Sequence, residues 1–233
     1  MKLNVLKYTA LMAALTALPS QAAQLEISLS NLSHGNYFTP ILVAAHQSDI
    51  MLYRSGTTAS AALVKMAEGG DIADLAANVT GANGVTLENP AGGLLAPGAS
   101  TDAMMLDTGD NNLLSVTAMI LPTNDGFIGL DSWKIPSKAG TYTLYLNGYD
   151  AGSEANNEIV NGGGAPGVPG IPAAPGGQGG TGATGIDDTS GNNKVHIHPG
   201  VLGDMDPNGG KSDLNSAVHR WLNPVAKLTV TVK

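Results

Sequence analysis

From Gln24 to Leu32 the chain alternates, with Leu25, Ile27 and Leu29 on one face and Glu26, Ser28 and Ser30 on the other. That period of two predicts a half-buried strand. Ser115 to Leu121, Thr141 to Leu146 and Lys227 to Val232 are rich in Val, Thr and Tyr and predict further strands. In the last of these Leu228, Val230 and Val232 share a face, which predicts docking in a sheet. Ile41 to His46 and Ser60 to Glu68 have helical spacing, and Gly69-Gly70 ends the second. Two small helices among several strands with glycine-rich connections predict an all-β fold. The expected form is an antiparallel β-sandwich with one or two short helices in the connections.

Two segments fall outside this pattern. Residues 1–22 read as a secretory signal peptide: Lys2 and Lys7 form its positive end, Tyr8 to Leu18 its apolar stretch, and Ser20-Gln21-Ala22 or Gln21-Ala22-Ala23 the small-residue cleavage site. The apolar stretch, about 11 residues, is too short for a bilayer, which needs about 20. No later segment is apolar for long enough to span. Residues 161–185 are crowded with glycine and proline and include three Gly-x-Pro triplets before the register fails at Ala173-Ala174. A collagen helix needs that period sustained over many repeats and three chains. The segment is therefore expected to be a flexible, solvated loop insertion in a single domain of residues 23–233.

Composition narrows the function. The chain has no cysteine, so in an exported protein no disulfide holds the fold. Its net charge is −8, and removing the two lysines of the leader, which has no acid, makes it −10. Such acidity argues against nucleic acid and anionic membranes and suits cations or a basic partner, although it also serves solubility.

The candidate chemistry lies in two acidic turns that follow strands, Asn124 to Asp131 and Tyr149 to Glu154. If those strands end at one rim, Asp125, Asp150 and Glu154 converge, and three such anions repel unless a cation or protons compensate. Ca²⁺ takes about 6–8 oxygens in loose geometry and would fit, whereas acidic loops are commonly just solvated. Asp131 is either a fourth ligand or a cap on the following turn, the cap being favoured. Asp204 to Gly209 fits the first half of an EF-hand loop, but Asn215 stands where the closing Glu belongs. It reads better as a turn. His196, His198 and His219 are the basis of the alternative function, a periplasmic transition-metal-binding protein. His46 reads as a hydrogen-bonded packing residue. No nucleophile elbow, zincin motif or phosphate loop is present, and few aromatic residues are available to stack on sugars, so no enzyme is expected.

The segment Pro122 to Asp131, followed by Asp150-Ala151-Gly152-Ser153-Glu154, resembles the spondin N-terminal domain of F-spondin and mindin. The likeness extends over Ala44 to His46, Ala67-Glu68-Gly69-Gly70, Met119 to Pro122, His198-Pro199 and Asp206 to Gly210. It implies a C2-like antiparallel β-sandwich with Ca²⁺ at one rim and Asp125, Asp150 and Glu154 as the matching ligands. Animal members commonly have Asp where Glu154 stands, and they carry cysteines and thrombospondin repeats that are missing here. The implied function is an exported, non-catalytic adhesion or extracellular-matrix-type module. Its partner would be a protein or glycan at the cell surface or matrix, with the protein periplasmic, cell-surface or secreted.

Overall fold

The alternation of Leu25, Ile27 and Leu29 becomes strand β1, Gln24–Asn31, whose odd positions enter the core. The computed structural model describes residues 22–233 apart from 166, 178 and 187–192, so nearly all of the leader lies outside the described residues. Antiparallel to β1 runs β10, Ala226–Val232, in register from Leu25↔Val232 to Asn31↔Ala226. On its other side β10 pairs with β8, Gly140–Asp150. The remaining strands are β2 (Tyr37–Phe38), β3 (Leu42–His46), β4 (Val85–Glu88), β5 (Met104–Asp107), β6 (Leu113–Leu121), β7 (Gly126–Lys134) and β9 (His196–Ile197).

The sheet order is β4-β3-β6-β7-β8-β10-β1-β5, all antiparallel, with β2 added to β6 and β9 to β8. Its two ends, β4 and β5, touch, so the sheet curls almost closed around one apolar interior. This is the expected all-β, antiparallel, sandwich-like fold.

A second core lies outside the curl, where α1 (Ala61–Gly69) and α2 (Ala73–Gly81) cover β3, β6 and β7. Ser60 caps α1 by accepting the Leu63 N–H, and Gly70 closes it in the left-handed region at φ +73°. With apolar layers on both faces, β6 is buried from Leu114 to Leu121. Each fully buried Leu, Ile or Phe there contributes about 1.5–3 kcal/mol.

Three expectations are corrected. Residues 42–46 form a strand, not a helix, because Val43 and Ala45 enter the inner core while Leu42 and Ala44 enter the outer one. A strand buried on both faces is a continuous apolar run, which periodicity does not distinguish from a helix. The second helix is instead α2, which buries Leu75, Ala76 and Val79. Most of the first acidic turn is also strand: β7 starts at Gly126, leaving Asp131 inside it.

The glycine- and proline-rich segment has almost no regular structure, yet it is not simply solvated. Ile171 is 0% exposed and packs with Val201 and Leu214. The Asp213 carboxylate gathers N–H groups from Val160 (2.7 Å), Thr181 (2.6 Å) and Ala183 (3.3 Å), tying both ends of the segment down. Glycine and proline suppress regular elements without preventing a single isoleucine from being buried.

Candidate metal centre

Asp125 ends the β6–β7 turn and Asp150 ends β8. The two strands pair so that Gly126 stands opposite Asp150, and the Ala151 N–H donates to the Asp125 carbonyl at 3.2 Å. The two carboxylates therefore share one end of the ladder, 0% and 1% exposed. Asp125 Oδ2 accepts from the Ser153 N–H (2.8 Å), the Ser153 hydroxyl (3.1 Å) and the Glu154 N–H (3.1 Å). Its Oδ1 is buried with no partner. Asp150 accepts from the Gly152 N–H and from Asn156 Nδ2, both at 2.7 Å. Gly152 permits this turn: it sits at φ +68°, and a Cβ there would lie 2.5 Å from the Lys194 nitrogen.

Burial, then the charge of Asp150, pushes the Asp125 carboxyl up to about 7, against the N–H bonds from Ser153 and Glu154. Two carboxylates held this close and this dry need a proton or a cation between them. The donors are hard oxygens, the type Ca²⁺ takes, and Asp125 Oδ1 is an acceptor without a donor.

Glu154 does not turn its carboxylate to that pair. Its backbone N–H holds Asp125, while its Oε2 accepts from Gly170 N–H (2.8 Å) and Asn124 Nδ2 (3.3 Å) and its Oε1 is buried unpartnered. Burial raises its carboxyl, the Gly170 and Asn124 bonds oppose that, and the charge of Glu68 adds to it. Among the described residues no group of three or more His, Asp or Glu side chains stands where it could hold a metal ion.

Glu68 went unassigned in the sequence although Ala67-Glu68-Gly69-Gly70 is conspicuous there. The available signal was electrostatic: an acid in the last turn of a helix opposes the macrodipole, so a reason for it lies elsewhere. Glu158 was also missed. It is buried but fully used, accepting from the Leu202 N–H (2.5 Å), the Gly203 N–H (2.8 Å) and the Ser212 hydroxyl (2.5 Å).

The other candidates are placed apart. Asp131 lies along β7, accepts from the Ser132 hydroxyl and faces Arg54 Nε at 3.6 Å, so it neither joins the rim nor caps a turn. Asp204 receives the N–H groups of Asp206, Lys211 and Ser212, and these bonds hold its carboxyl below the usual range. The Asp204–Gly209 stretch is a hydrogen-bonded turn. His196 Nδ1 bonds the Lys194 carbonyl and lies 3.7 Å from Asp150 Oδ1. His198 Nδ1 accepts the Gly200 N–H, and His219 Nδ1 accepts the Asn215 N–H. His46 is buried, its Nε2 2.8 Å from the Ser115 hydroxyl.

A family model described as Spondin_N matches residues 31–159, more than half of the chain. The chain belongs to the spondin N-terminal domain family, whose members are extracellular-type binding modules and generally non-catalytic. The match spans both Asp125 and Asp150 and stops just short of the glycine- and proline-rich segment. A comparison with curated proteins found no match. Among the described residues no helix is long and apolar enough to cross a membrane.

Proposed function

We propose that this domain is an exported, Ca²⁺-dependent binding module that works by adhesion rather than by chemistry, with Asp125 and Asp150 holding the ion. The observation that carries this reading is the buried Asp125–Asp150 pair, with one carboxylate oxygen lacking any partner. Bound Ca²⁺ supplies the positive charge that lets both carboxylates ionise, and it offers further coordination to oxygens of a partner. Asp125 then fixes the Ser153–Glu154 backbone through Oδ2, and Asp150 fixes Gly152 and Asn156. Both turns at this rim are thereby set in one geometry, which suits a contact surface for a protein or glycan of the cell surface or matrix. The histidines favour transition metal less, because in His198 and His219 Nδ1 accepts a backbone N–H, which puts the ring proton on Nε2, the nitrogen a metal would need.

The test is the metal content of protein purified without chelator, followed by calorimetric titration with Ca²⁺ and Zn²⁺. Calcium bound in a manner lost in Asp125→Asn supports the reading. Zinc or copper as the resident metal, or no Ca²⁺ uptake by metal-free protein, sinks it.

A further inference from the structure

We infer that the cleft between the glycine- and proline-rich segment and the turns of residues 204–219 binds an extended, basic peptide segment of a partner, a contact distinct from the Asp125–Asp150 rim. The cleft holds about 310 Å³, the size of a small-ligand site. Ala174 and Thr181 line it from the segment, and Asp204, Met205, Asp206, Asp213, Val218 and His219 from the turns. All of these residues lie beyond the span of the Spondin_N match, which ends at residue 159.

The charge of the cleft is one-sided. Three carboxylates line it and no Lys or Arg does, and none of the three makes an ion pair among the described residues. Backbone N–H groups hold them instead: those of Asp206, Lys211 and Ser212 on Asp204, that of Asn208 on Asp206, and those of Val160, Thr181 and Ala183 on Asp213. Such bonds favour the ionised form without cancelling its charge. Arg220, the nearest arginine in sequence, donates its Nε to the Leu202 carbonyl at 2.6 Å. The cleft is therefore complementary to a basic partner. A bare metal ion is not that partner, since no three acids or histidines among the described residues stand where they could share one.

Two further features select a peptide. Met205, 73% exposed, and Val218, 37% exposed, put apolar surface beside the acids. That combination suits a Lys or Arg, whose methylene stem lies on apolar groups while its head reaches a carboxylate. His219 supplies a donor. It is only 8% exposed, and its Nδ1 accepts the Asn215 N–H, so the ring proton stands on Nε2. Nε2 has no partner among the described residues and is not fully enclosed, and the ring lines the cleft. A backbone carbonyl of an extended segment would accept that N–H. A polyamine carries the positive charge but no carbonyl, and leaves Nε2 unmet.

The experiment is a fluorescence anisotropy titration of the full chain, with Ca²⁺ present, using a labelled peptide of alternating Lys and Leu. The same peptide with Glu for Lys, and spermidine as competitor, are the comparison arms. The Lys peptide should bind at least tenfold more tightly than the Glu peptide, and spermidine at equal charge should not displace it. Met205→Ser/Asp206→Asn should weaken binding at least fivefold, whereas Asp49→Asn, an equal charge change at an exposed position outside the cleft, should stay within twofold. Asn at position 206 keeps an oxygen for the Asn208 N–H, and both substituted side chains are exposed. Equal binding of the two peptides, displacement by spermidine, unchanged affinity in the double variant or an equal loss in Asp49→Asn each overturns the proposal. Should the double variant fail to fold, the His219 ring resonances of the parent decide. The Lys peptide should shift them, and their staying unmoved at saturation removes the site.

Discussion

Asp150 stands directly opposite Gly126 in the β7–β8 ladder, and this pairing brings its carboxylate beside that of Asp125. The register of two strands, fixed by their apolar faces, therefore sets the spacing of two charges that water barely reaches.

That spacing predicts a pH dependence. The Asp125 carboxyl titrates at about 7 in the fold, against 3.8 ordinarily. Below 3.8 it is protonated in both folded and unfolded chains. Between the two values only the folded chain keeps the proton, so its contribution to stability is lost as pH rises, and the loss is complete above about 7. Chelated protein should melt at a higher temperature at pH 5.5 than at pH 8, and Ca²⁺ should raise the melting temperature more at pH 8. Melting curves at both pH values with chelator and with Ca²⁺ decide it; a Ca²⁺ effect that is larger at pH 5.5 would contradict the assignment.

Chelation itself should lower thermal stability, with added Ca²⁺ and not Zn²⁺ restoring it. A ligand present at about 100 times its dissociation constant adds roughly 2.7 kcal/mol. Melting curves that coincide in chelator and in millimolar Ca²⁺ would rule out a structural ion.

Asp150→Asn should weaken Ca²⁺ binding by at least tenfold, whereas Asp206→Asn should leave it within twofold. Asp150 sits in the buried pair, while Asp206 accepts the Asn208 N–H in an exposed turn. Calorimetric titration of the two variants compares them directly, and equal losses would mean that the ion sits elsewhere.

Ile171→Ala should destabilise the domain by about 2–5 kcal/mol, the usual effect of emptying a buried aliphatic site. For a chain of this size that is a fall of several degrees in melting temperature. Deleting residues 162–182 should cost more, because it also uncovers Val201 and Leu214 and strips Asp213 of its Thr181 bonds. Thermal denaturation with Ca²⁺ present measures both, and an unchanged melting temperature would return the segment to a solvated insertion.

Legibility of the sequence followed the number of faces each element buries. The strand at Gln24–Asn31 and the last one, Ala226–Val232, have one wet face, so their alternation was readable. Leu42–His46 has none, and its unbroken apolar run concealed the strand. At the site, Asp125 and Asp150 were found because each follows a strand and a glycine lies close by. The direction of the Glu154 side chain was not readable, since it depends on Gly170 and Asn124, distant in sequence or on another turn. Ile171 was hidden by its neighbours: its burial depends on Val201 and Leu214, which local composition does not reveal.

The position of β10 between β8 and β1 has a consequence for when this fold can exist. The chain is made, or threaded through a membrane, from its amino end, so β1 emerges early and waits nearly 200 residues for the neighbour that joins it to the rest of the sheet. Until Ala226–Val232 arrives, β1 and β8 each present an open edge that invites pairing with another chain. Assembly is thus withheld until Ala226–Val232 has been made, and a chain cut just before Ala226 should keep most of its strands with no way to join them.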